Sequence, residues 1–194
     1  MKSKIRYSDL MTTARIISVA IFAVYVSAFP TGLGLIPGLV ILALIFLTDG
    51  LDGQIARRID GESKLGAFYD IVGDRIAETV LLVPFVFNQH PGAMIALVYF
   101  IVKDFLVDFR RMATFMDSSD VPFKQVSGRL AEFITAGRFM RSFYAVIKLV
   151  MIGIFYVWLF DPSEELTALS MAVMIITLIV SFVRTVPSFI SVKA

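Results

Sequence analysis

Long apolar runs, broken by short polar or Pro/Gly stretches, make up most of the sequence between Leu10 and Pro187. The runs fall at about 10–29, 36–58, 65–88, 92–116, 135–160 and 165–187, and each suits the roughly 20 residues a helix needs to cross a bilayer. FPTGLGLIP, NQHPG and DPSEE separate alternate pairs of runs and read as turns, because Pro, Gly, Asn and Asp punctuate helices there. IDGESK is a short polar turn between the second and third runs. The stretch 117–134, DSSDVPFKQVSGRLAEFI, is the one long polar connection and is predicted to hold a surface helix broken at Pro122 and Gly128. Residues 1–9 form a basic lead expected to lie on the membrane surface. The pattern predicts an all-α, polytopic membrane protein with six transmembrane helices and a short N-terminal juxtamembrane segment, residues 1–194 forming a single domain.

Composition agrees with that pattern. Of 194 residues, 58% are hydrophobic and only 18% charged, with a mean hydropathy of +0.83, too apolar for an ordinary water-soluble domain. The net charge of +2 is modest, so its distribution is more informative than its sum. FPTGLGLIP, NQHPG and DPSEE carry no Lys or Arg. The 18 basic residues lie in the N-terminal segment, the other connections, the C-terminus, or the parts of the runs nearest to them. That asymmetry places both termini and the IDGESK turn on the cytoplasmic side of a cell or inner membrane. MKSKIRYSDLM is not followed by a small-residue cleavage site, so no removable signal peptide is expected.

The absence of cysteine excludes disulfides, thiolate metal sites and thiol catalysis. A single histidine, His90, in an uncharged turn, reads as a polar turn residue and leaves no Ser–His–Asp triad to assemble. No phosphate-binding Gly-Lys loop is present, which argues against ATP hydrolysis, and nothing points to nucleic acid. The phenylalanines and methionines, with Tyr99, Tyr156 and Trp158, read as packing, lipid-facing or interfacial residues.

The chemistry concentrates in DGLDGQIARRIDGESKLGAFYDIVGD, from Asp49 to Asp74. On a helix, Asp49, Asp52, Gly53, Ala56 and Arg57 fall within an arc of about 140°, and Gly66, Asp70, Gly73, Asp74 and Ala77 within about 100°. Two helices joined by a short polar turn lie antiparallel, and their acidic faces are then expected to meet, with small residues allowing close approach. Unpaired carboxylates at one place repel and cost several kcal/mol each to bury, roughly, unless something neutralises them. Salt bridges to Arg57, Arg58 and Arg75 are one solution. Divalent cations are another: Mg²⁺, Mn²⁺ and Ca²⁺ take oxygen ligands, and two such ions on shared carboxylates suit phosphoryl transfer. Acids inside membrane-length runs favour a functional role.

The spacing D-x2-D-G-x2-A-R-x8-G-x3-D-x3-D, met by Asp49, Asp52, Gly53, Ala56, Arg57, Gly66, Asp70 and Asp74, resembles the signature of the CDP-alcohol phosphotransferases. The likeness extends to phosphatidylglycerophosphate synthases. VKDFLVDFRR is similar to their G-R-E-x6-R, with Lys103, Asp104 and Arg111 at the polar positions. SDLMTTARI is similar to their P-N-x-x-T-x-x-R, keeping Thr12 and Arg15, with Ser8 and Asp9 in place of Pro and Asn. AGRFMRSFY is loosely similar to their G-K-x-K-T.

The resemblance implies an enzyme that moves a phosphatidyl group from CDP-diacylglycerol to an alcohol with release of CMP. It implies Asp49, Asp52, Asp70 and Asp74 as ligands of two Mg²⁺ or Mn²⁺ ions, and Asp74 also as the general base. Gly53, Ala56, Arg57, Gly66 and Thr12 would serve the donor nucleotide. Lys103, Arg110, Arg111, Arg138 and Arg141 gather at the cytoplasmic ends of the fourth and fifth runs. They read either as head-group-snorkelling residues or as a pocket for an acceptor phosphate. The partial likeness favours glycerol 3-phosphate, with inositol phosphate or serine as alternatives. A homodimer in the bilayer is expected. A divalent-cation transporter is the rival reading from another class. The far halves of the second and third runs argue against it, because Glu78 is the last acid before they become uncharged.

Overall fold

The computed structural model describes residues 7–55, 64–117 and 137–190. Six long helices and two short ones occur among them: α1 (Tyr7–Ala28), α2 (Leu35–Ile55), α3 (Lys64–Val80), α4 (Val83–Phe87), α5 (Ala93–Asp117), α6 (Arg138–Trp158), α7 (Glu164–Thr185) and α8 (Pro187–Ile190). No strand occurs among the described residues. Tyr7–Asp9 open α1 instead of belonging to a separate surface lead, and the Thr13 hydroxyl donates back to the Asp9 carbonyl within its first turns. The connection at 118–136, with its expected surface helix, lies outside the described residues, as do 1–6.

The third apolar run is not one helix. Pro84 has no N–H to donate to the Val80 carbonyl, so α3 ends and α4 begins after a tight turn at Leu81–Leu82. Hydropathy is continuous across the break, which is why the apolar run alone predicted a single span.

α1 packs against α2, α3 and α4. α6 packs against α2 and α7, and α5 meets α3, α4, α7 and α8. The core joins Val19, Phe22 and Val26 of α1 to Leu42 of α2, Phe85 of α4, Phe100 of α5 and Phe155 and Tyr156 of α6. Gly38 permits close packing. The Tyr156 hydroxyl donates to the Gly34 carbonyl at 2.9 Å, and its ring lies where a Cβ on Gly38 would fall.

The distribution of side chains on α7 identifies the surrounding solvent. Ser170, Thr177 and Ser181 face inward and are buried, whereas Ile175, Ile176, Ile179 and Phe182 are exposed. A helix in water places its polar side outward. The reverse arrangement, repeated by exposed Ile17, Ile21 and Val24 on α1, points to lipid. Asp9–Ala28 and Glu164–Thr185 are long and apolar enough to cross a membrane, while the apolar parts of α2 and α6, Leu35–Thr48 and Ser142–Trp158, are shorter.

Candidate active site

α3 carries Gly66, Asp70 and Asp74 in its first half, and α2 carries Asp49, Asp52 and Gly53 near its C-terminal end. Asp70 and Asp74, one turn apart, present their carboxylates on the same side of α3. Their side chains are 43% and 41% exposed, so both are open to a ligand from solvent. The side chains of Asp49 and Asp52, and all of Ala56 and Arg57, lie outside the described residues. The expected meeting of the two acidic faces therefore involves side chains beyond those described.

The α3 acids are held from α1. Arg15, buried, donates from Nη2 to Asp74 Oδ1 at 2.6 Å, and the same nitrogen lies 3.9 Å from Asp70 Oδ1. A charge-assisted bond of this kind fixes the carboxylate and leaves the remaining oxygen lone pairs for other partners. α1 comes this close because of Gly73: a Cβ there would run into Thr12 Cγ2. Thr12 is itself buried at this crossing. Beside it, the Thr13 and Tyr69 hydroxyls are 2.8 Å apart and close the seam between the helices.

One turn beyond Asp74 lies a buried ionic network that joins α3 to α5, α6 and α7. Arg75 pairs with Asp104 at 3.1 Å, Asp108 at 3.1 Å and Glu78 at 3.4 Å. Glu78 pairs with Lys148 at 3.1 Å, and Asp104 with Lys103 at 2.7 Å. The Tyr144 hydroxyl reaches Glu78 at 3.5 Å and Ser181 at 2.9 Å and accepts from Lys103 at 3.3 Å. Lys148 and Arg184 lie over the Tyr144 ring, 4.6 and 4.4 Å from its centroid. Taking charges out of water is costly, and mutual pairing is what makes this cluster tolerable.

The basic residues predicted for the acceptor separate. Lys103 turns into the network. Arg110 instead donates to the Phe189 carbonyl at 3.0 Å and lies over that ring, at the short α8. The side chains of Arg111, Arg138 and Arg141 lie outside the described residues. The sequence matches Arg15 to a motif position without a role and offers Arg75 as a salt-bridge partner of the acids, but does not join Glu78, Asp108 and Lys148 to the site. The i,i+3 spacing of Arg75 and Glu78, directly after Asp74, is the signal that could have marked them.

His90 is more than a polar turn residue. It is buried at 3% exposure, stacked on Phe155 and edge-on to Trp158. The Gly92 amide donates to Nδ1 at 3.2 Å, and the ring's other nitrogen meets the Ser170 hydroxyl at 2.9 Å. An amide donating to Nδ1 requires the neutral ring protonated at Nε2, so Nε2 donates to Ser170. Burial in this turn lowers the imidazole pKa to about 4.

Among the described residues, no three His, Asp or Glu side chains stand together as a metal site. Asp70 and Asp74 supply two accessible carboxylates, and their hard oxygen donors match Mg²⁺ or Mn²⁺. The wider comparison gives the architecture a context. The family description "CDP-alcohol phosphatidyltransferase" matches residues 6–183. The curated proteins and the solved structures compared with the chain gave no match.

Proposed function

The chain belongs to the CDP-alcohol phosphatidyltransferase family, whose reaction transfers a phosphatidyl group from a CDP-linked alcohol to an acceptor alcohol, and from that premise we propose its particular reaction and setting. The donor is CDP-diacylglycerol and the acceptor glycerol 3-phosphate, giving phosphatidylglycerophosphate and CMP. The protein is a six-span membrane homodimer whose active site faces the cytoplasm. The observation that carries the reading is the solvent-open pair Asp70 and Asp74, fixed by the buried Arg15 guanidinium. The likeness of Lys103, Asp104 and Arg111 to the phosphatidylglycerophosphate synthase pattern supports an anionic acceptor.

The acceptor hydroxyl oxygen forms a bond to the lipid-linked phosphorus while the bond from that phosphorus to the CMP oxygen breaks. Asp74 takes the hydroxyl proton. Arg15 holds the Asp74 carboxylate in place for that transfer, and CMP leaves as the anion. Asp49, Asp52, Asp70 and Asp74 would hold two Mg²⁺ or Mn²⁺ ions, which when bound neutralise the charge of the pyrophosphate and of the departing CMP. Gly53 and Ala56 leave room for the nucleotide, Arg57 contacts its phosphate, and Gly66 and Thr12 border it. Arg111, Arg138 and Arg141 supply charge for the acceptor phosphate, while Lys103 and Arg110, the other two cations expected there, are engaged by Asp104 and the Phe189 carbonyl.

The test is a reconstituted assay of purified protein with CDP-diacylglycerol and a panel of acceptors, following CMP. Glycerol 3-phosphate is expected to give the fastest release, Mg²⁺ or Mn²⁺ to be required, and chelation to be reversible. Faster release with inositol phosphate or serine would overturn the acceptor assignment. Full turnover in excess EDTA would overturn the metal-dependent reading, and no CMP with any acceptor would overturn the enzyme itself.

A further inference from the structure

Glu78 lies one turn past Asp74 on the same flank of α3, yet it is turned away from solvent, with 6% of its surface exposed. It pairs with Lys148 of α6 and meets the Tyr144 hydroxyl of the same helix, while Arg75 beside it pairs with Asp104 and Asp108 of α5. On its outer side α3 exposes Phe68, Val72 and Ile76, and among the described residues only the Tyr69 hydroxyl, against Thr13 of α1, makes a polar contact there. Apolar contacts are non-directional and tolerate a small rotation of a helix. Ion pairs buried among apolar side chains do not, because a rotation leaves charges unpaired where water cannot replace the partner.

We infer that Glu78, acting with Arg75 and Lys148, is a positioning residue for the reaction: it fixes the rotation of α3 and so aims Asp70 and Asp74 at Arg15 and the substrates. The inference rests on the proposed reaction only for its kinetic readout. Removing the Glu78–Lys148 pair altogether separates positioning from stability, since replacing a buried ion pair by apolar residues of similar size is often neutral for stability. If the pair only holds the protein together, the double variant Glu78→Leu/Lys148→Met keeps both its melting temperature and its rate. If the pair positions α3, that variant melts as the native protein does but loses kcat by about ten-fold or more, with the CDP-diacylglycerol KM changed less than about two-fold.

A distance measurement independent of activity accompanies the kinetics. The chain has no cysteine, so Val72→Cys on α3 and Val146→Cys on α6, both exposed, take nitroxide labels at those sites alone. In the Glu78→Leu/Lys148→Met background the inter-label distance distribution is expected to shift or broaden. Should that variant not be recovered folded, Glu78→Gln, which keeps the shape and loses the charge, goes through the same measurements. Glu78→Asp should recover part of the kcat that Glu78→Gln loses. An unchanged distance distribution overturns the inference, whether or not kcat falls. If the native protein releases no CMP with any acceptor, the proposed reaction fails, and the label distances still decide whether Glu78 positions α3.

Discussion

At the scale of single residues, the contact that decides most is Arg15 on Asp74. The pairing spans 59 residues of sequence and puts a buried cation on a solvent-open acid. Arg15→Gln removes the charge-assisted bond, worth roughly 1.5–3 kcal/mol, so kcat in the CMP-release assay should fall about ten- to a hundred-fold. Asp70→Asn should leave a folded protein that is inactive at any Mg²⁺ concentration. An active Asp70→Asn protein would remove that residue from the site.

His90 makes a separate, pH-linked contribution to stability. Its folded pKa of about 4 lies below the unfolded value of roughly 6.5. Between those values the unfolded chain binds the extra proton. The stabilisation is therefore complete above about pH 6.5 and is lost as pH falls toward 4. Melting temperatures across that window should drop more steeply for the native protein than for His90→Asn, and parallel slopes would refute the assignment.

At the scale of the element, the α1–α3 crossing depends on the missing side chain at Gly73. Gly73→Ala would push a methyl into Thr12 Cγ2, and overpacking of this kind costs about 1–3 kcal/mol. The offending atom is itself one methyl, so Thr12→Ser should relieve it while keeping the hydroxyl. Gly73→Ala is expected to lower both melting temperature and kcat, and Thr12→Ser/Gly73→Ala to restore both. If the second substitution restores neither, close approach of α1 is not what Gly73 provides. Pro84 acts at the same scale: it ends α3 at the turn before α4, so the helices on either side, 17 and 5 residues long, are each shorter than the apolar run implied.

At the scale of the whole molecule, the cytoplasmic orientation proposed for the site rests on loops without basic residues. Cysteines at Gln89 and Pro162, both exposed, should label from outside intact cells, and cysteines at Ser63 and Ser119 only after permeabilisation. The opposite pattern would put the acids on the wrong side for a cytoplasmic CDP-linked donor. Substrate use is also a property of the assembled molecule. Arg138→Ala should raise the KM for glycerol 3-phosphate about ten- to a hundred-fold and leave that for CDP-diacylglycerol nearly unchanged, whereas Arg57→Ala should do the reverse. Small, equal changes in both would return these residues to the role of head-group anchors.

The sequence alone determined the helical class, the approximate positions of the long helices and the acids of the signature. Those are written in local terms: bilayer thickness sets the length of an apolar run, and helix periodicity sets which residues share a face. It did not reveal where α3 stops, because an apolar run has the same hydropathy on both sides of Pro84. Nor could it say which cation meets which acid. Arg15 chooses Asp74, Glu78 chooses Lys148, and Lys103 turns to Asp104 while Arg110 goes to Phe189, because helices distant in sequence pack side by side. His90 shows the same division. Its turn was legible from NQHPG, but its burial against Phe155, Trp158 and Ser170 comes from the packing of α6 and α7 around it. Pairing energies depend on distance and burial, and only the tertiary structure sets those.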